Sequence, residues 1–219
     1  MVHSSTPTGR NPRKDAVENR ERLVAASFRA FARDGIRVPV AEIAAEAGLG
    51  VATFYRCFRD RADLIAELET RAYAHLNDLL DQIEARGSRG LTAIEGFLLG
   101  VVEIGDELIL PLHGAPPLRD EGSVAARQCI DARIEDFLGQ ARATASVSSS
   151  VNATDIIMYS ALVSRPLRHG PNWNLAVRRQ IALFMAGVGA EVAIPGPSLL
   201  QSDIEEAFGR ADVPSGTAS

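Results

Sequence analysis

The chain has 219 residues, 46% hydrophobic and 23% charged, with a formal net charge of −5. That is enough apolar content for one large core or two modest ones, and the acidic balance argues against indiscriminate nucleic-acid binding. No run approaches the roughly 18 apolar residues of a membrane span, and no charged-then-apolar leader opens the chain, so a cytoplasmic protein without a membrane partner is expected. Cys57 and Cys129 have no Cys or His at metal spacing, which suggests neither a metal site nor a disulfide framework.

Residues 1–14 combine Ser, Thr, Pro and Gly with Arg10, Arg13 and Lys14 and are expected to form a flexible basic tail. A first helix is predicted from about Asp15 to Asp34, with Val24, Phe28 and Phe31 on one face and Gly35 in the C′ position that favours a left-handed backbone. Val40 to Phe58, VAEIAAEAGLGVATFYRCF, then reads as two short helices joined by a Gly turn. Ala44 is small enough for a steep helix crossing, Gly48 supplies the turn, and Val40, Ile43, Ala47, Leu49, Val51, Phe54 and Phe58 can fill the interior. Thr53, Tyr55 and Arg56 offer hydroxyls and a guanidinium suited to phosphates and base edges. On spacing alone an ordinary αα-hairpin and a DNA-reading pair are equally good readings.

After a polar turn, Asp60 is a candidate N-cap, and Leu64, Leu68, Ala72, Leu76 and Ile83 mark a helix to Arg86, stopped by Gly87. Further helices are predicted from Leu91 to about Ile109, Ser123 to Thr144 with a stripe of Ile130, Ile134, Phe137 and Leu138, and Asn152 or Thr154 to Leu167. A last one runs from Leu175 to about Ala193. Up to Leu64 the chain carries a net charge of +3 and the remainder −8, a basic head on an acidic body, as phosphate engagement by one end requires.

FRAFARDG from Phe28 to Gly35, EIAAEAGLGVATFYRCF, the polar turn and the Asp-Leu-Ile that opens a long helix together resemble the TetR family of bacterial transcriptional regulators. The resemblance covers about the first third of the chain. It implies an all-α fold: a three-helix helix-turn-helix DNA-binding domain over 15–62, with the helix-turn-helix at about 39–58, then a helical ligand-binding and dimerisation domain over 63–197 and a C-terminal tail over 198–219. The family's usual Thr at the start of the second helix is replaced by Val38-Pro39-Val40, Gly50 stands where Ser is common, and Cys57 where His or Tyr is usual. The expected DNA contacts are Arg13, Lys14, Val40, Gly50, Val51, Ala52, Thr53, Tyr55, Arg56, Arg59 and Arg61, with Thr53, Tyr55, Arg56 and the basic flanks carrying most of the grip.

The resemblance further implies a homodimer through the helices at about 153–167 and 175–193, whose Ala186, Gly187, Gly189 and Ala190 permit close helix approach. It also implies an unidentified small-molecule effector that wedges the body helices and moves the helix after Asp60. Candidate lining residues are Phe97, Val101, Ile104, Leu108, His113, Ile130, Arg133, Phe137, Met158, Leu162 and Trp173, an apolar wall with a few polar handles. No cofactor is expected. The four histidines are scattered and no G-x-S-x-G, H-E-x-x-H or phosphate-cradling loop occurs, so an enzyme is not expected. The leading expectation is a sequence-specific DNA-binding transcriptional regulator, a repressor of a palindromic operator released by its ligand. The alternative is a helical dimeric interaction protein with weakened or lost DNA binding.

Overall fold

In the computed structural model, residues 12–108, 121–144, 147–164 and 172–189 are described, together with residues 198, 200, 202 and 203. Every regular element among them is helical: α1 Pro12–Asp34, α2 Val40–Glu46, α3 Val51–Cys57, α4 Arg61–Ala85, α5 Gly90–Glu103, α6 Glu121–Ala143, α7 Ala153–Val163 and α8 Trp173–Val188, with a short 3-10 turn at Gly105–Glu107. The chain divides into two compact units, Met1–Leu68 and Glu69–Ser219.

Glycines with positive φ punctuate the head. Gly35 (φ 82°) ends α1, its N–H donating to Phe31 O at 2.9 Å, and Gly48 (φ 66°) turns the chain out of α2 while Leu49 N–H returns to Ala44 O at 2.8 Å. Pro39, extended at φ −63° and ψ 146°, precedes α2, and its carbonyl accepts from Glu42 and Ile43 at 3.0 and 3.2 Å. Around these turns Leu23, Phe31, Ile43, Ala44, Phe54 and Phe58 close a dry interior, completed by Leu64 and Leu68 from the start of α4. Because those two leucines bury with the head, the unit boundary falls inside α4, six residues beyond the 62/63 division predicted from sequence.

A second difference lies at the start of α1. It begins at Pro12 rather than Asp15, because proline lacks only an N–H that the first turn leaves unpaired anyway. Arg13 and Lys14, predicted to lie in the tail, are therefore helical; residues 1–11 lie outside the described residues.

In the body, Leu76, Leu80, Phe97, Leu98, Val101, Ile134 and Ile156 join one apolar cluster to which Val177 and Ile181 of α8 contribute. The helix predicted to reach Ile109 stops at Glu103. At Gly105 a Cβ would stand 2.9 Å from the Ser164 carbonyl oxygen, so the backbone here passes too close to the end of α7 for any side chain. Asn152 is the N-cap of α7: its Oδ1 accepts from Asp155 N–H at 3.0 Å, and Asp155 Oδ2 accepts from Asn152 N–H at 2.9 Å, a reciprocal capping box. The predicted stretches of the last two helices beyond Ser164 and beyond Gly189 lie outside the described residues.

Asn152→Ala removes one side of that box. It should lower the stability of the full chain by about 1 kcal/mol, read as a reduced urea midpoint at unchanged slope.

Candidate nucleic-acid interface

Helix α3 is seven residues long, and its inner side is fixed by aromatic packing. Phe54 and Phe58 are buried with ring centroids 5.5 Å apart, and the Tyr55 ring meets Phe54 edge-on at 5.3 Å while remaining 57% exposed. The outer side presents Val51, Ala52, Tyr55 and Arg56. Arg56 Nη2 donates to Thr53 Oγ1 at 2.8 Å, so these two side chains behave as a unit. Gly50 is exposed ahead of them, Val40 is half-buried at the start of α2, and Arg13 and Lys14 are exposed on α1.

At the turn into α4, Asp60 Oδ1 accepts from Asp63 N–H at 2.8 Å, which makes Asp60 the cap expected from sequence. Asp63 in turn accepts from the Arg59 N–H at 3.0 Å, and that bond is the main reason its carboxyl titrates below the usual range. The Arg59 guanidinium is 3.5 Å from Asp63 and 86% exposed, a contact too solvated to hold it.

Arg61 is a correction. Its guanidinium turns inward, donates to the carbonyls of Val38 and Ile36, and lies 5.3 Å from the Phe31 ring centroid. Burial lowers its pKa from the ordinary value. The side chain expected to meet phosphate instead ties α4 to the segment before α2. Two arginines counted only as charge by the sequence do similar work. Arg20 donates to Cys57 O at 2.7 Å and Glu67 Oε2 at 2.8 Å and stacks over Phe58 at 4.2 Å; Arg22 donates to Ala47 O at 2.6 Å. The signal for Arg20 was its place on the helical stripe of Val24, Ser27 and Phe31, where a charge must find a partner.

Residues 23–68 match the family model described as bacterial regulatory proteins, tetR family. Over this head, the chain is similar to the tetR family. An HTH-type transcriptional regulator of Staphylococcus aureus is 42% identical over 53 residues, 24% of this chain and 29% of that protein. The match thus spans under a third of the curated relative's length. Among solved structures, the ketosteroid transcriptional regulator KstR2 of Mycobacterium tuberculosis has a TM-score of 0.64 at 18% identity, covering 84% of this chain and 98% of that one. AibR in complex with isovaleryl coenzyme A and operator DNA has a TM-score of 0.63 at 12% identity, covering 78% and 98%. At these identities the likeness is one of fold.

In the body, the residues predicted to line a pocket are placed differently from one another. Phe97, Val101, Leu108, Ile130 and Phe137 are packed into the closed core, with Ile104 and Trp173 half-buried against it. Met158 and Leu162 face outward, Leu162 at 71% exposure. Arg133 is committed to α4, reaching Asp81 at 2.8 Å, Glu84 at 2.9 Å and Asn77 O at 3.3 Å. His113 lies outside the described residues. A cleft of about 320 Å³ lies between α5 and α8, lined by Leu99, Val102, Glu103, Asn174, Val177 and Arg178, where Arg178 approaches Glu103 at 3.5 Å. The described residues include no group of three or more His, Cys, Asp or Glu placed to hold a metal, and no helix long and apolar enough to cross a membrane.

A Cβ at Gly48 would meet both the positive φ and Arg22 Nη2 at 2.9 Å. Gly48→Ala should therefore destabilise the chain by about 1 kcal/mol, measured by urea unfolding, with a smaller loss in Gly50→Ala, where φ is −83° and a Cβ meets nothing within 4 Å.

Proposed function

We propose that the protein is a sequence-specific transcriptional regulator that lays α3 in the major groove of a palindromic operator, acts as a homodimeric repressor, and is released by a small molecule. The observation that carries this reading is the exposure of Tyr55 and Arg56 on the outer side of α3, and of Arg59 in the turn that follows, on a head similar to the tetR family. Hydroxyl and guanidinium donors there suit phosphate oxygens and base edges. The same exposure favours a DNA reader over an interaction protein that has lost DNA binding.

A seven-residue recognition helix reads only a few base pairs, so specificity calls for two heads about one helical turn of DNA apart, roughly 34–36 Å. The body supplies a surface for pairing. On α7 and α8, Leu162, Leu175 and Leu183 are 59–71% exposed beside the parallel stack of Tyr159 on Phe184, with centroids 3.7 Å apart. Large apolar side chains left in water on adjacent helices favour burial against a second copy.

Release requires a ligand that prefers the conformation unable to bind DNA, since equal affinity for both shifts nothing. The α5–α8 cleft falls within the size range of small-molecule sites, and its lining combines Leu99, Val102 and Val177 with Glu103 and Arg178. AibR, similar in fold, is described with both isovaleryl coenzyme A and operator DNA. Helix α4 contributes its first turns to the head and the rest to the body, which supports reading it as the element through which ligand binding acts on DNA binding.

A gel-shift series over salt concentration tests the DNA contacts. Tyr55→Phe with Arg56→Ala, and separately Arg59→Gln, should weaken binding and make the log–log salt slope shallower by about 1 for each phosphate no longer neutralised. Arg61→Gln should lower the melting temperature instead. Unchanged binding and slope in the first two variants would remove α3 as the reading surface.

A further inference from the structure

The exposed side chains at the start of α3 carry no hydrogen-bonding group. Gly50 has no side chain, and Val51 and Ala52 are exposed hydrocarbon, Val51 at 40%. Thr53 Oγ1 already accepts from Arg56, Phe54 is buried, and the Cys57 carbonyl is taken by Arg20. Side-chain polar groups on α3 thus begin at Thr53, whose hydroxyl can still donate, and continue through Tyr55 and the remaining donors of Arg56 to the exposed Arg59 beyond the helix. Val51 and Ala52 are continuous with that polar and cationic surface, so whatever it approaches they approach too.

In a major groove, only one base pair offers an apolar group to meet such side chains: the 5-methyl of thymine stands beside polar edges that Val and Ala cannot pair. Setting either side chain against cytosine N4 or guanine O6 would desolvate those edges without replacing their hydrogen bonds. We propose that Val51 and Ala52 are specificity-determining residues that select thymine by its 5-methyl group, so that each half-site carries thymines opposite the start of α3. This rests on the DNA-reading function proposed above and names what the reading helix selects. Tyr55, Arg56 and Arg59 supply position and polar contacts; Val51 and Ala52 supply discrimination. Each methyl buried is worth about 0.8 kcal/mol, or about fourfold in affinity.

The test uses duplexes enriched by the full-length chain from random-sequence DNA, then prepared with 2′-deoxyuridine in place of thymidine, a change that removes the 5-methyl and leaves every hydrogen-bonding group. Affinity should fall about fourfold for each contacted position, with an unchanged salt slope, and return when thymine is restored at those positions singly. Val51→Ala and Ala52→Gly should each narrow the thymine-to-uracil ratio at its own position, with melting curves measured alongside. Equal affinity for the thymine and uracil duplexes overturns the inference and leaves the DNA-reading function standing. A uracil penalty that both variants retain in full overturns the assignment to Val51 and Ala52. Failure to enrich any duplex overturns the function and the inference together.

Discussion

The head is held by guanidinium groups donating to main-chain carbonyls. Helices α2 and α3 are seven residues each, too short to persist alone, and each leaves carbonyls at its C-terminal end without intrahelical partners. Arg22 of α1 reaches Ala47 O after α2, Arg20 of α1 reaches Cys57 O at the end of α3, and Arg61 of α4 reaches Ile36 and Val38 before α2. A cation at a helix C-terminus also opposes the partial negative charge gathered there. The position of Tyr55 and Arg56 therefore depends on residues in two other helices.

Much of this architecture was legible because it is local. Gly35 and Gly48 have positive φ where the turns were predicted, Asp60 and Asn152 cap the helices they precede, and Ile130, Ile134, Phe137 and Leu138 are buried together on α6. The misses were of another kind. Sequence shows that Arg61 is charged but not which way it points, and the carbonyls that claim it lie 23 and 25 residues away. The pocket lining meets a related limit: Phe97, Val101 and Phe137 are apolar whether they line a void or fill it, and here they belong to the body's buried apolar cluster. Gly105 was unreadable because its constraint comes from Ser164, 59 positions later in the chain.

Charge counting is likewise refined. The head's formal excess includes three arginines spent on main-chain oxygens, and Arg29 and Arg33 pair with Glu46 at 3.1 and 3.0 Å. Those last pairs are solvated and contribute little to stability, but they lower the field around α2. Exposed positive charge in the head then stands at Arg37, Arg56 and Arg59, with Arg13 and Lys14 on α1, fewer sites than the formal count suggests.

The arginine–carbonyl contacts also govern how the head comes apart. An ordinary two-turn helix opens by itself and exchanges its amide hydrogens rapidly. Here α3 cannot unwind without releasing Arg20 from Cys57, which also disturbs the hold on Glu67, and α2 cannot unwind without freeing Arg22. Local unwinding of either short helix thus carries the added cost of these contacts, so both should open less readily than two-turn helices without them.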